Sequence, residues 1–355
     1  MKERMNFASD NAAGIAPDIL AAIARANEGF ALAYGNDDWT RRVERRLADI
    51  FEHEVAVFLL PTGTAANAIA LAHVTPPWGA VLCHAESHVI TDEGGAPEFF
   101  GGGLKLIGLA GEGCKLAPNV VQAAIDKYSG HIPHQVNAAS LSLTQATEAG
   151  TIYRTHEIAA LADIAHARGL RVQMDGARFA NALARLNASP AEATWKAGID
   201  VLCFGATKGG AMAAEAVIFF DSKLAEMMPE RRKRGGHLLS KHRFLAAQFD
   251  AFLAEGRWLT LARHANAMAD LLARLLSAAG VTVVWPVEAN LVFALIPQAL
   301  DARLKAAGAT YYVRSSDSLP AGLTIGQGNM LVRLVTSFAT QESELERFAA
   351  LVRKG

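Results

Sequence analysis

Val172-Gln173-Met174-Asp175-Gly176-Ala177-Arg178 closes one apolar run, and Val201-Leu202-Cys203-Phe204-Gly205-Ala206-Thr207-Lys208-Gly209-Gly210 closes another further along. Each reads as a short buried strand that ends in small residues and carries a charged side chain out of the core. An acid at one strand end and a lysine just past the next are groups that a carbonyl cofactor can use. In pyridoxal phosphate (PLP) sites a lysine holds the cofactor as a Schiff base and an acidic partner faces the ring nitrogen. A loop lysine and a helix-capping aspartate are the ordinary alternatives, so the rest of the chain must decide.

At 355 residues the chain exceeds one usual domain, which predicts a large domain and a smaller one. Apolar residues make up 51% and charged residues 19%, an ordinary globular balance with material for a large core. Lys and Arg number 34 against 35 Asp and Glu, a net charge of −1. That balance supports neither nucleic-acid nor anionic-membrane binding. Cys83, Cys114 and Cys203 are widely spaced, and Cys83 and Cys203 lie in apolar runs, as reduced core thiols do. Met1-Lys2-Glu3-Arg4-Met5-Asn6 lacks an apolar signal core, and no run reaches the ~18 residues of a membrane span. The expectation is a cytoplasmic globular protein.

Toward the N-terminus, Ser9-Asp10-Asn11 precedes a helix opening at Pro17, with Ile19, Leu20 and Ile23 on one face. Asp38 is expected to cap the next helix, which carries Val43, Leu47, Ile50 and Phe51 on its inner side. A buried strand, residues 55–60, runs into Pro61-Thr62-Gly63-Thr64-Ala65-Ala66-Asn67 and an alanine-rich helix. Free N–H groups at such a helix start favour an anion, while the pattern matches neither a P-loop nor a dinucleotide fingerprint. Residues 80–83 form a strand leading to His84 and His88, with Glu86, Asp92 and Glu93 close by. The histidine spacing resembles a metal pair, but it follows a strand rather than lying on a clear helix, so no metal is expected. An imidazole there can instead stack on a flat cofactor.

Strand and helix patterns alternate onward: a strand at 138–143 preceded by a loop with His131 and His134, a helix capped by Thr155, then the strand ending in Asp175. This alternation predicts a mostly parallel sheet covered on both faces, with its ligand beyond the carboxyl ends of the strands. Thr62, Thr64, His88, Asp175 and Lys208 all follow strands at that edge. Arg231-Arg232-Lys233-Arg234 reads as a helix C-terminus or as cations reaching a phosphate across a subunit boundary. An amphipathic helix at 258–276 leads into a smaller α/β segment with strands near 281–284, 291–295 and 330–335. The expected division is 1–255, a cofactor-binding large domain with its N-terminal segment, and 256–355, a small C-terminal domain.

Met174-Asp175-Gly176-Ala177-Arg178-Phe179 with Thr207-Lys208, the motifs at Ser9, at 34–40 and at 61–67, Gln145-Ala146-Thr147-Glu148, and Arg333-Leu334-Val335-Thr336-Ser337-Phe338 occur in one order. In these the chain resembles the low-specificity L-threonine aldolases within the fold type I PLP enzymes. Gly209 departs from the pattern, which has asparagine after the lysine. The resemblance implies the PLP-dependent transferase-like fold and Lys208 as the Schiff-base lysine. It also implies Asp175 at the pyridine nitrogen, His88 stacked on the ring, and Gly63, Thr64, Thr207 and a neighbouring subunit's Lys233 at the phosphate. Ser9, Arg178 and Arg333 would gather the substrate carboxylate, Arg178 lying beside the cofactor as well. The implied reaction is retro-aldol cleavage of a β-hydroxy-α-amino acid to glycine and an aldehyde, with His88 or His134 as base. A homo-oligomer, dimer or tetramer, with active sites at subunit interfaces is implied too. Another fold type I enzyme, a β-eliminating lyase or an aminotransferase, shares the lysine and aspartate.

Overall fold

The computed structural model describes residues 5–130, 133–315 and 317–353. Met1, Lys2, Glu3, Arg4 and His131 lie outside the described residues. The strands are β1 (Met5–Asn6), β2 (Ala56–Leu60), β3 (Gly79–His84), β4 (Lys105–Leu109), β5 (Asn137–Thr144), β6 (Arg171–Gly176) and β7 (Val201–Gly205). They continue with β8 (Glu215–Phe219), β9 (Thr282–Val283), β10 (Leu291–Pro297), β11 (Ala309–Thr310), β12 (Tyr312–Arg314) and β13 (Asn329–Val335). The helices are α1 (Pro17–Ala26), α2 (Asp38–Phe51), α3 (Gly63–Val74), α4 (His88–Thr91), α5 (Ala96–Phe100), α6 (Pro118–Lys127) and α7 (Thr155–His166). After them come α8 (Phe179–Leu183), α9 (Met228–Arg234), α10 (Arg243–Leu253), α11 (Arg257–Ala278), α12 (Gln298–Ala306) and α13 (Glu342–Arg353).

Seven strands in the order β2-β8-β7-β6-β5-β3-β4 form the large sheet. β4, β3, β5, β6 and β7 run parallel, and β8 pairs antiparallel with both β7 and β2. Alternation along β7 shows why its sequence is apolar throughout. Val201 and Cys203 pack with Ala65, Ala66, Ile69 and Ala70 of α3 on one face. Leu202 and Phe204 face the main core with Phe51, Phe179, Phe249 and Trp258. Phe204 lies 5.3 Å from Trp258 and 5.5 Å from Phe179, both edge-on, so an aromatic cluster anchors the strand from which the lysine turn departs.

The smaller sheet, β12-β13-β10-β9, is antiparallel and packs with α11 and α13 around Leu272, Leu276, Val292, Leu334 and Phe348. α11 spans both bodies: Trp258 and Ala262 belong to the large core, Met268 and Leu272 to the small one. The N-terminal segment departs from the expected division. β1 pairs with β11, and Met5 and Phe7 are buried in the smaller body's core, where the Phe7 ring packs edge-on to Phe348 at 5.2 Å. Two capping expectations also shift by one residue. Asp37, not Asp38, accepts the Thr40 N–H at the start of α2, leaving Asp38 to pair with Arg41. Arg154, not Thr155, occupies the N-cap of α7. Leu20 is 53% exposed, since the buried face of α1 passes through Ile19, Ala22 and Ala26 instead.

Candidate active site

A cavity of about 910 Å³ opens at the carboxyl ends of the parallel strands. Its wall includes Ser9, Gly63, Thr64, His88, Asp175, Arg178, Thr207, Lys208 and Arg333. The fold therefore brings nine of the residues singled out in the sequence to one space. Two others lie elsewhere within the chain. His134 is exposed and precedes the amino end of β5. A strand of that length spans roughly 25 Å, which separates it from the cavity at the other end. Lys233 is exposed on α9, with its ammonium 4.9 Å from the Tyr34 ring centre.

Thr62 caps α3 by accepting the Ala65 N–H, and its carbonyl takes the Ala66 N–H. The N–H groups of Gly63 and Thr64, first in the helix, have no intrahelical acceptor and stand at the cavity. A Cβ on Gly63 would meet nothing within 4 Å, so that end of the cavity is open. This is an anion site built from backbone and helix dipole. Thr207 is held differently: its hydroxyl donates to Glu215 Oε1 and accepts the Ala214 N–H. Glu215, buried at the start of β8, is pushed up to about 7 by burial, against the Thr207 hydrogen bond and the Lys208 charge.

Asp175 is buried and already oriented, one oxygen taking the Asn67 amide at 2.9 Å and the other the Ala177 N–H at 3.0 Å. The same Asn67 nitrogen reaches Glu93 Oε1, which also bonds His88 Nδ1 at 2.9 Å. The hydrogen bond with Glu93 raises the His88 pKa, against the opposing effect of burial. His84 turns away, toward the Gly111 carbonyl at 3.0 Å. Among the described residues no group of acids, cysteines and histidines has the arrangement of a metal site. Sequence reading assigned no role to Asn67, Glu148 or Glu215. The first two sit inside quoted motifs, but a side chain's partner 26 or more positions away leaves no local signal.

The two arginines differ in freedom. Arg178 grips Asp10 with two nitrogens at 2.8 and 3.0 Å. Arg333 has no ion pair among the described residues; it reaches the Ala8 carbonyl at 3.3 Å, its guanidinium lies 5.5 Å from the Tyr312 ring centre, and its Nε is buried without a partner. Burial, with Arg178 and Arg314 nearby, lowers its pKa to about 10. A half-buried guanidinium at the cavity wall with no ion-pair partner of its own is ready for a carboxylate brought by a ligand. Lys208 likewise makes no ion pair among the described residues. Free lysine, phosphate-type donors and an oriented acid fit PLP, which would be held by Lys208, Asp175, Gly63 and Thr64 and would supply an electron sink.

The model of the beta-eliminating lyase family matches residues 6–299. A low specificity L-threonine aldolase of Pseudomonas sp. (strain NCIMB 10558) is 42% identical over 99% of this chain and 98% of its own. Its counterpart in Pseudomonas aeruginosa is 43% identical, covering 98% and 96%. A solved structure of Leishmania major threonine aldolase superposes with a TM-score of 0.91 at 28% identity, over 98% of both chains. A serine palmitoyltransferase of Sphingomonas wittichii shares the fold, with a TM-score of 0.69 at 14% identity over 98% of this chain and 86% of that one. Fold, cavity and these relatives together define a PLP-dependent enzyme of fold type I, a carbon–carbon lyase. Within that class the sequence is specific: the chain belongs to the low-specificity L-threonine aldolase family.

Proposed function

We propose that the protein cleaves L-threonine, L-allo-threonine and related β-hydroxy-α-amino acids such as phenylserine to glycine and an aldehyde. One observation carries the reading: Lys208, Asp175 and the unpaired Arg333 converge on one cavity. Arg333 binds the substrate carboxylate, with Ser9 beside it, while Arg178 is steadied by Asp10. His88, held through Nδ1 by Glu93, would lie against the cofactor ring. Gly63 and Thr64 would donate to its phosphate. Bound PLP draws electrons from the bonds at Cα, and the protein must orient the Cα–Cβ bond and accept the β-hydroxyl proton. Of the two imidazoles considered as base, the chain itself brings His88 to the cavity and not His134.

A homo-oligomer accommodates the parts that face away from the chain's own cavity. Phe30, Leu32 and Tyr34 are large, exposed side chains on one segment, and Lys233 adjoins Tyr34. The reading places that surface, with the Lys233 ammonium, against a second copy's site. Three free, buried cysteines favour a reducing compartment such as the cytoplasm, and no helix among the described residues is long and apolar enough to cross a membrane.

The test is direct. Purified protein with PLP is incubated with L-threonine, L-allo-threonine and phenylserine, and aldehyde and glycine are measured. Equal amounts of both products are expected. Pyruvate or another oxo-acid in place of aldehyde assigns the site to elimination or amino transfer, the alternative that the family model's breadth keeps in view.

A further inference from the structure

Glu148 ends the Gln145-Ala146-Thr147-Glu148 motif, and its carboxyl stands at the cavity wall. Its Oε1 accepts the His88 N–H at 2.9 Å, while its Oε2 is buried with no hydrogen-bond partner of good geometry. An unpartnered buried oxygen costs about 1–3 kcal/mol, and beside a cavity that cost is relieved when a ligand brings a donor. The ligand class proposed above brings one neutral donor besides its amine, the β-hydroxyl. We infer that Glu148, fixed through Oε1 by the His88 main chain and left with an unpartnered Oε2 beside the cavity, accepts the proton of the substrate β-hydroxyl. This deepens the aldolase reading and rests on it.

His88 is the competing acceptor on the same wall. Its Nδ1 is already engaged by buried Glu93 at 2.9 Å, a hydrogen bond that raises the His88 pKa, whereas Glu148 Oε2 has no such partner. Glu148 is suited to the task. Burial pushes it up to about 7 and Asp175 adds to the rise, whereas hydrogen bonds from the His88 N–H and the Thr144 hydroxyl oppose it. The other titratable groups that sense its charge are Cys83 of β3, Cys114 and Tyr153. A carboxyl titrating near neutrality can both take and return a proton. In the step, the β-oxygen's proton passes to Oε2, and the O–H electron pair becomes the second bond of the aldehyde carbonyl. The Cα–Cβ bond breaks with its pair left at Cα, and a proton adds there to give glycine.

The experiment uses the PLP-loaded enzyme and its Glu148→Gln and Glu148→Asp variants. Glutamine keeps an oxygen for the His88 N–H but cannot take the proton. Expected for Glu148→Gln is a kcat for L-threonine lower by about 100-fold or more, with loss of the limb that rises with pH near 7. Glycine, which has no β-hydroxyl, should perturb the cofactor absorbance with an unchanged Kd. Glu148→Asp should recover part of the rate and keep a titrating limb. Wild-type kcat and pH profile in Glu148→Gln would overturn the inference. So would parallel loss of glycine binding in both variants, since Glu148 would then only support His88. Failure of the wild-type enzyme to release aldehyde from any of the three substrates is a different result and refutes the aldolase reading itself.

Discussion

Gly209 stands where the family resemblance leads one to expect an asparagine after the lysine, and the structure shows what a side chain there would meet. A Cβ there would lie 2.7 Å from Cε2 and 2.9 Å from Cζ of Phe252, which is fully buried on α10. The ring fills the space a side chain after the lysine would need. Gly209→Asn should therefore destabilise the protein by about 1–3 kcal/mol, the usual range for overpacking. Phe252→Leu should relieve part of that in the double variant, leaving a coupling of about 0.5–3 kcal/mol between the sites. Chemical denaturation of the four proteins reads this out, and strictly additive losses would refute the steric account. Lys208 and Asp175 are legible in sequence because a charged residue after an unbroken apolar run is conspicuous. Glu93, Glu148 and Glu215 are not, because a lone glutamate looks alike whether it is solvated or buried against a histidine or a lysine turn.

At the level of the element, α3 carries two functions on twelve residues. Its first turn offers N–H groups to an anion, and Asn67, one turn further, orients Asp175 and Glu93. Its small alanines allow the close approach to β7 and β8 that puts Asn67 there. The helix and its anion-binding start are readable from Thr62-Gly63-Thr64 and the alanines that follow. The role of Asn67 is not, since its three side-chain partners come from β6 and from the turn before α5. Thr62→Ala removes the cap and should lower stability by about 1 kcal/mol. It should also weaken PLP binding, because the Gly63 and Thr64 N–H groups lose their fixed direction. Thermal melting and a cofactor titration check both; unchanged PLP affinity would mean that the phosphate is held elsewhere.

Across the whole molecule, the large body, the small body and the N-terminal segment meet at Asp10. Its carboxylate takes two nitrogens of Arg178, which follows β6, and the Asn290 amide, which also binds the Thr336 carbonyl beyond β13. The sequence shows the parallel sheet and the second α/β body through their patterns, but not that the N-terminus is stitched into the smaller one. A two-residue strand such as β1 has no period to read, and its pairing with β11 is a contact across nearly the entire chain. Burial is the largest influence on Asp10 and raises its pKa, yet Arg178 and Lys208, with hydrogen bonds from Arg178 and Asn290, together hold it below 3.8. A depressed carboxyl contributes stability above its unfolded pKa and loses it as pH falls through the folded value. Asp10→Asn leaves Arg178, only 13% exposed, facing a neutral amide, and should cost about 3 kcal/mol at pH 7. The gap between variant and wild type should narrow only below about pH 4. Urea unfolding across that range measures it, and a gap that stays constant into acid would show that Asp10 holds the two bodies together by shape and hydrogen bonding rather than by its charge.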